Sequence, residues 1–200
     1  MWVYSDEVKE NFTNPKNILN DGEEFVEDGR GETGSSVCGD MMVMFIKVDK
    51  EKNIIKDCKW KTYGCASAIA STSMLSEMVK GMTLEEAYKI KPLDVIKELN
   101  GLPNHKIHCS VLGDQSLRAA IDDYFKRNNI PNYLKVEKDK IICECLNISK
   151  SDIKKTVFKD NINTFEELQD VTKISTSCGK CEQEARAVFE EFLLEKEENK

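Results

Sequence analysis

Eight cysteines constrain this chain more than any other feature, because they fall into one dispersed set and one closely paired set. The dispersed set comprises Cys38, Cys65 and Cys109. The paired set comprises two short motifs near the C-terminal end, Cys143-Glu144-Cys145 and Cys178-Gly179-Lys180-Cys181. Thiolates are soft ligands that bind zinc, copper(I) and iron–sulfur clusters. The sequence therefore predicts two metal or sulfur sites with different tasks.

Composition narrows the setting in which these cysteines act. The 200 residues, 40% of them hydrophobic, can form one medium and one small domain. A formal net charge of −7 disfavours nucleic acid and anionic membranes as partners. The N-terminus lacks the basic and apolar regions of a signal peptide, so we expect a cytoplasmic protein. In that reducing compartment the cysteines are expected to be ligands or reactive thiols, not disulfides.

The first 130 residues predict a mixed α+β domain. Residues 40–48 and 54–62 have the composition of two strands joined by a hairpin turn. Cys65 lies at a strand-to-helix junction, where the apolar period changes to that of a helix. A capping-box pattern begins at Thr83, and a further short helix opens at Pro92. An amphipathic helix is predicted over 115–127, so Cys109 is also expected in a loop just before a helix.

The remaining residues predict a linker and a second, helical domain. Pro131 ends the preceding helix and the 137–140 segment is charged, so 131–140 is interpreted as a linker. Beyond it we expect a helix from about residue 151, a second helix opened by a capping box at Thr164, and a long helix after Cys181. The charged tail at 195–200 is interpreted as a solvated, fraying end.

The dispersed cysteines can converge with two other ligand-type side chains. Each of the three segments that carry them follows a strand or precedes a helix, so their donors can meet at one end of a small sheet. The candidate donors are Cys38, Asp40, Cys65, His108 and Cys109. An aspartate is a hard ligand among soft ones, which makes such a site weaker than four thiolates. Helix N-termini at Cys65 and Cys109 favour the thiolate form. The alternative is that the three cysteines are buried as small hydrophobic residues.

Specific motifs in this region resemble the iron–sulfur cluster assembly scaffolds of the IscU/NifU family. The motifs are Asn14-Pro15-Lys16-Asn17, Cys38-Gly39-Asp40, the 61–71 segment around Gly64-Cys65-Ala66, and Lys106-Ile107-His108-Cys109-Ser110. The resemblance covers residues 4–127. It implies a small antiparallel sheet with packed helices, in a protein that is not an enzyme.

That resemblance also implies a ligand set, a cargo and partners. Cys38, Cys65 and Cys109 are implied as cluster-binding and sulfur-accepting thiols, Asp40 as the residue that keeps the cluster labile, and His108 as an auxiliary ligand. The cargo is a labile [2Fe–2S] or [4Fe–4S] cluster. The implied partners are a cysteine desulfurase of the NifS/IscS type and apo iron–sulfur proteins, and the implied assembly is a homodimer. Two or three thiolates with Asp40 or His108 also suit Zn²⁺.

Two other potential ligands fall outside this set. Cys58 alternates with Trp60 along its strand and is interpreted as a core residue. His105, in the 102–106 loop, is interpreted as an exposed histidine. That loop departs from the Leu-Pro-Pro-Val-Lys of the chaperone-dependent members.

The paired cysteines predict a single site with four thiolates. In an extended Cys-x-Cys both side chains face one side, and Gly179 eases the turn of the Cys-x-x-Cys. Four thiolates suit a structural zinc or a [2Fe–2S] cluster, and this spacing favours the cluster. The segment resembles the bacterioferritin-associated-ferredoxin-like domain, which implies a permanent [2Fe–2S] cluster on Cys143, Cys145, Cys178 and Cys181.

These predictions combine into one expected domain organisation and function. Residues 1–130 form the scaffold domain, 131–140 the linker, and 141–200 a small all-α [2Fe–2S]-binding domain. The expected function is a scaffold that accepts sulfur and iron, holds a labile cluster and transfers it to apoproteins. Two alternatives remain: a [2Fe–2S] electron-transfer protein, and a zinc-bound sulfur acceptor that regulates a desulfurase.

Overall fold

The computed structural model describes residues 4–34, 39–103, 106–134 and 139–198. The chain divides into two compact units, Met1–Lys135 and Val136–Lys200. The first unit contains the elements α1 (Asp6–Thr13), β1 (Gly29–Gly34), β2 (Met41–Asp49), β3 (Ile54–Tyr63), α2 (Ala66–Met78), α3 (Leu84–Lys89), α4 (Pro92–Glu98) and α5 (Ile107–Arg127). The second unit contains β4 (Ile141–Cys143), β5 (Ile148–Ser149), α6 (Lys150–Lys159), α7 (Phe165–Thr172) and α8 (Glu182–Glu198).

The first unit is built on a small antiparallel sheet with the strand order β1-β2-β3. The predicted hairpin of β2 and β3 is confirmed, with Met41 paired to Tyr63 at its open end. Alternate residues of β2, including Met42, Met44 and Ile46, are buried. This alternation places one face of the strand in the core. The helices of this unit complete the α+β architecture expected from the sequence.

Strand β1 was not expected, and its glycines explain why it forms. A Cβ atom on Gly29 would lie 2.2 Å from the carbonyl oxygen of Ala120, and one on Gly31 would lie 2.0 Å from that of Ser116. Glycine therefore lets the backbone of α5 rest directly against β1. This close approach places α5 across the sheet.

Helix α5 begins earlier than expected, and this corrects the position of Cys109. The helix starts at Ile107, so Cys109 lies in its first turn and not in a loop before it. Polar side chains at 114–116 interrupt the apolar pattern on which the later start was based. They are accommodated in the fold: Asp114 pairs with Arg118 at 2.5 Å, and the Ser116 hydroxyl donates to the Met42 carbonyl.

The core of the first unit lies between the sheet and α2 and α5. Cys58 is fully buried in it, which confirms its interpretation as a core residue. The capping box at Thr83 is confirmed, since its hydroxyl accepts from the Glu86 amide. Packing of this unit extends to Leu134, which is buried with the core.

The second unit is helical with a short hairpin of β4 and β5. The capping box at Thr164 is confirmed, and an unexpected capping box at Ser149 opens α6. As far as Glu198, the last described residue, the tail is not a fraying end: α8 extends to Glu198, and the buried Lys196 ammonium donates to the Ile162 carbonyl and to Asn163 Oδ1. Within the described ranges, no helix has the length and apolarity that crossing a membrane requires.

Candidate metal centres

The hairpin register brings Asp40 to Cys65. Because Met41 pairs with Tyr63, the residues that flank this pair, Asp40 before β2 and Gly64-Cys65 after β3, lie side by side. The backbone amide of Cys65 donates to Asp40 Oδ2 at 3.1 Å. Gly64 permits this approach, since a Cβ atom there would lie 3.2 Å from the same carboxylate oxygen.

The first turn of α5 supplies the third donor of this site. The sulfurs of Cys65 and Cys109 lie 3.2 Å apart, with Cys109 buried and Cys65 half-buried. The donor atoms of Asp40, Cys65 and Cys109 all lie within 4.8 Å of one another. In the described part of the chain, this is the one group of three or more ligand-type residues with that property. We call these three residues the dispersed site.

Electrostatics favour a thiolate at Cys65. The residue is the N-cap of α2, and its pKa is lowered to about 6. The hydrogen bond from Cys109 is the largest cause, burial opposes it, and the first-turn amides of Ala68 and Ser67 reinforce it. The lowered pKa and the position at a helix N-terminus both favour the thiolate form of Cys65 at neutral pH.

Two of the predicted donors of this site, Cys38 and His108, lie partly or wholly outside the described residues, and so does His105, which was not predicted as a ligand. Cys38 and His105 lie outside the described residues, and only the backbone of His108 is described, in the first turn of α5. Ligand roles for Cys38 and His108 therefore remain predictions.

The four C-terminal cysteines form two close pairs, each joining one motif to the other. Cys145 Sγ lies 3.0 Å from Cys178 Sγ, and the thiols of Cys143 and Cys181 are hydrogen-bonded. The extended Cys-x-Cys expected from the sequence is wrong: β4 ends at Cys143, and Cys145 lies in the following turn. The turn directs the two sulfurs to different partners. We call these four residues the paired site.

Thiolate stability differs within the paired site. The hydrogen bond from Cys143 lowers the pKa of Cys181 to about 6, against burial, and raises the pKa of Cys143. Burial and then the Cys178 thiol raise the pKa of Cys145 to about 12. Gly179, at φ +71°, allows the turn that brings Cys178 and Cys181 to this end of the unit.

The donors present at both sites fit thiolate-bound metal chemistry. All seven described cysteines are free thiols. Fully buried Cys58 is separate from both sites, and burial raises its pKa to about 12. Sequence reasoning missed Ser175, whose hydroxyl lies 3.4 Å from Cys181 Sγ. In the sequence, the one signal for Ser175 is that it lies three residues before Cys178.

Comparison with known proteins bears on both sites. Residues 3–131 match the family model described as the NifU-like N terminal domain. This chain belongs to the NifU-like family. Residues 141–191 match the BFD-like [2Fe-2S] binding domain, so the NifU-like domain is followed by a [2Fe–2S]-binding domain that contains all four cysteines of the paired site.

Individual relatives share both parts or the first part alone. Nitrogen fixation protein NifU of Trichormus azollae is 38% identical over 205 residues, covering 100% of this chain and 66% of the relative. Iron-sulfur cluster assembly scaffold protein IscU 1 of Archaeoglobus fulgidus is 49% identical over 126 residues, covering 63% of this chain and 79% of the relative. The crystal structure of a NifU-like protein (N-terminal) from Brucella abortus aligns with a TM-score of 0.48 at 19% identity, covering 61% of this chain and 94% of that one. The NifU-like chain thus spans slightly less than two thirds of the length of the NifU relative.

Proposed function

We propose that this NifU-like chain is a scaffold for iron–sulfur cluster assembly and not a turnover enzyme. It accepts sulfur from a cysteine desulfurase together with iron, holds a labile cluster, and transfers the cluster to apoproteins. The observation that carries the proposal is the convergence of Asp40, Cys65 and Cys109, with their donor atoms within 4.8 Å. The relative named as an assembly scaffold in Archaeoglobus fulgidus supports the same function.

The chemistry of the dispersed site suits a cargo that must leave. Thiolates bind iron firmly, whereas an aspartate oxygen is a hard, weaker partner for a sulfur-bridged cluster. Asp40 lies in direct contact with the Cys65 amide, so its carboxylate is already beside the thiolate that receives cargo. We propose Cys38 and His108 as the further donors, which gives more ligands than one metal needs and permits exchange.

The paired site suits a group that stays. Its sulfurs lie as two close pairs, and no three of them lie within 4.8 Å of one another. Two separate pairs of thiols suit a two-iron cluster better than one tetrahedral zinc ion. We propose that Cys143, Cys145, Cys178 and Cys181 hold a permanent [2Fe–2S] cluster, which supplies a one-electron redox centre. This arrangement favours electron transfer as a second candidate function.

The partners and setting follow from the same proposal. We propose a NifS/IscS-type desulfurase as the sulfur donor, apo iron–sulfur proteins as recipients, a homodimeric assembly, and a cytoplasmic location in which thiols stay reduced. We also propose that the functional division lies at a linker over 131–140, with the scaffold over 1–130 and the [2Fe–2S] domain over 141–200.

Anaerobic loading of the purified chain tests this function. Iron, zinc and sulfide are measured first, and the chain is then incubated with desulfurase, cysteine and ferrous iron while the visible spectrum is recorded. We expect a resident chromophore before incubation and a second, chelator-labile one afterwards. Failure to gain the second chromophore rejects the scaffold function, and stoichiometric zinc at the dispersed site supports the sulfur-acceptor alternative.

Two variants assign the chromophores to their sites. The double variant Cys143→Ala/Cys145→Ala should lose the resident chromophore and keep the labile one. Cys65→Ala should do the reverse. Loss of both chromophores in either variant contradicts two independent sites.

A further inference from the structure

Ser175 has a backbone conformation that its residue type disfavours. It lies at φ +63°, in the left-handed region, where residues other than glycine and asparagine are uncommon. Glycine adopts this conformation without steric conflict. The chain carries a serine here, so the feature that the serine adds over a glycine is its side-chain hydroxyl.

The neighbours of Ser175 hold it in this conformation. Ile174 is fully buried, its amide donates to the Thr172 hydroxyl, and its carbonyl accepts from Gln169. On the other side, the amide and the hydroxyl of Thr176 both donate to the Lys173 carbonyl. A disfavoured conformation that is fixed from both sides points to a function for the residue so placed.

That conformation directs two donors of Ser175 at the paired site. The hydroxyl lies 3.4 Å from Cys181 Sγ. A backbone hydrogen bond from Ser175 also acts to lower the pKa of Cys181 and that of Cys143. Hydrogen bonds to cluster sulfurs are among the determinants of the reduction potential of an iron–sulfur centre.

We infer that Ser175 raises the reduction potential of the cluster held at the paired site, by donating its hydroxyl to the Cys181 sulfur and its amide to the Cys143 and Cys181 sulfurs. This inference rests on the proposed [2Fe–2S] cluster. One-electron reduction increases the negative charge on the sulfurs, so a donor stabilises the reduced cluster more than the oxidised one. Ser175 acts through the ligands and is a positioning residue.

The test is a redox titration of the anaerobically purified full chain, followed by visible absorbance and electron paramagnetic resonance. Ser175→Ala removes the hydroxyl and keeps the amide. We expect the midpoint potential of the variant to be lower than that of the unmodified chain. The expected decrease corresponds to an about three- to tenfold smaller equilibrium constant for reduction of the cluster, which is the contribution of one hydrogen bond. A tenfold change corresponds to 59 mV for one electron.

Two further variants separate the hydroxyl from the backbone. Ser175→Gly also lacks the hydroxyl, so its midpoint potential should match that of Ser175→Ala. Because glycine adopts the left-handed conformation without strain, the melting temperature of Ser175→Gly should be higher than that of Ser175→Ala. Thr176→Val removes a hydroxyl from the same loop that donates to the Lys173 carbonyl and not to sulfur. Its potential should equal that of the unmodified chain.

The outcomes are distinguishable. Equal potentials in the unmodified chain and both Ser175 variants overturn the inference and leave the cluster assignment standing. A potential that falls equally in Thr176→Val overturns it as well, because the effect then comes from the loop and not from the sulfur contact. If the unmodified chain holds no iron at the paired site, both the cofactor assignment and the inference fail.

Discussion

The ionisation of Cys65 gives a quantitative test of the dispersed site. Its pKa of about 6 is attributed first to the hydrogen bond from Cys109, at a sulfur–sulfur distance of 3.2 Å. Cys109→Ala removes that donor, and Cys109→Ser is the matched control because it retains a hydroxyl donor. We expect the pKa of Cys65 to rise toward the ordinary thiol value in Cys109→Ala and to rise less in Cys109→Ser.

The magnitude shows which observable to measure. At pH 7 a thiol with a pKa of 6 is about 90% ionised, whereas an ordinary thiol of pKa about 8.5 is about 3% ionised, a difference of about 30-fold. Intrinsic nucleophilicity falls with the pKa of the thiol, and a pKa lower by about 2.5 units reduces it about 10- to 18-fold at the usual Brønsted slope. The two effects oppose each other and leave only an about two- to threefold difference in the rate at pH 7. The pH at which alkylation reaches half of its maximum therefore reports the pKa far better than the rate does.

The assay is alkylation of the reduced, metal-free chain with iodoacetamide between pH 4.5 and 9.5, read by mass spectrometry of the peptide that contains Cys65. We expect a midpoint near 6 in the unmodified chain. Cys58 is the internal control, because complete burial should keep it unlabelled while the fold persists. A Cys65 midpoint near 8.5, or the same midpoint in the unmodified chain and in Cys109→Ala, refutes the reasoning.

Three further perturbations test the packing and the chemistry. Burial raises the pKa of Asp114 to about 7, so the native state binds more protons than the unfolded state between pH 4 and 7 and loses stability as the pH rises. Asp114→Asn should remove this pH dependence of the free energy of unfolding, which is worth on the order of a few kcal/mol. Identical pH profiles of the two proteins in denaturant titrations contradict this prediction. Gly31→Ala should destabilise the fold by about 3 kcal/mol or more, because its Cβ would lie 2.0 Å from the Ser116 carbonyl oxygen. Gly34→Ala is the control, because the nearest atom to its Cβ would be 3.9 Å away. Equal melting temperatures of the two variants refute the close approach of α5 to β1. Asp40→Ala should lengthen the lifetime of the labile chromophore under chelator several-fold, whereas an unchanged or shorter lifetime rejects the weak-ligand argument.

The sequence predicted those elements whose determinants are local. The capping boxes at Thr83 and Thr164 form within four residues, and both helices begin where the pattern indicates. Strand β1 was missed because its glycines lower strand propensity, and its place depends on contact with α5, far along the chain. The early start of α5 was missed because residues such as Asp114 are polar yet buried with partners that no local pattern reveals.

The candidate sites were predictable to different depths. The spacing of the cysteines indicated two kinds of site and their candidate donors, and the family resemblance implied a role for each donor. The 3.2 Å contact between Cys65 and Cys109 depends on how α5 packs against α2, so neither spacing nor composition could supply it. The pairing of Cys145 with Cys178 arises from a turn after β4, which the prediction of an extended Cys-x-Cys did not include. Ser175 requires a backbone angle that the sequence does not encode in any recognised motif.

Transfer of iron from the fully loaded chain tests the central claim most directly. The chain is loaded anaerobically at both sites, mixed with excess apo-ferredoxin, and the iron and sulfide on each protein are followed by native mass spectrometry. We predict that the cluster at the dispersed site, which Cys65→Ala lacks, moves to the ferredoxin. The [2Fe–2S] cluster at the paired site, which Cys143→Ala/Cys145→Ala lacks, should stay on the chain. Departure of both clusters at the same rate, or retention of both, would contradict a scaffold with one site for cargo and one for a permanent cluster.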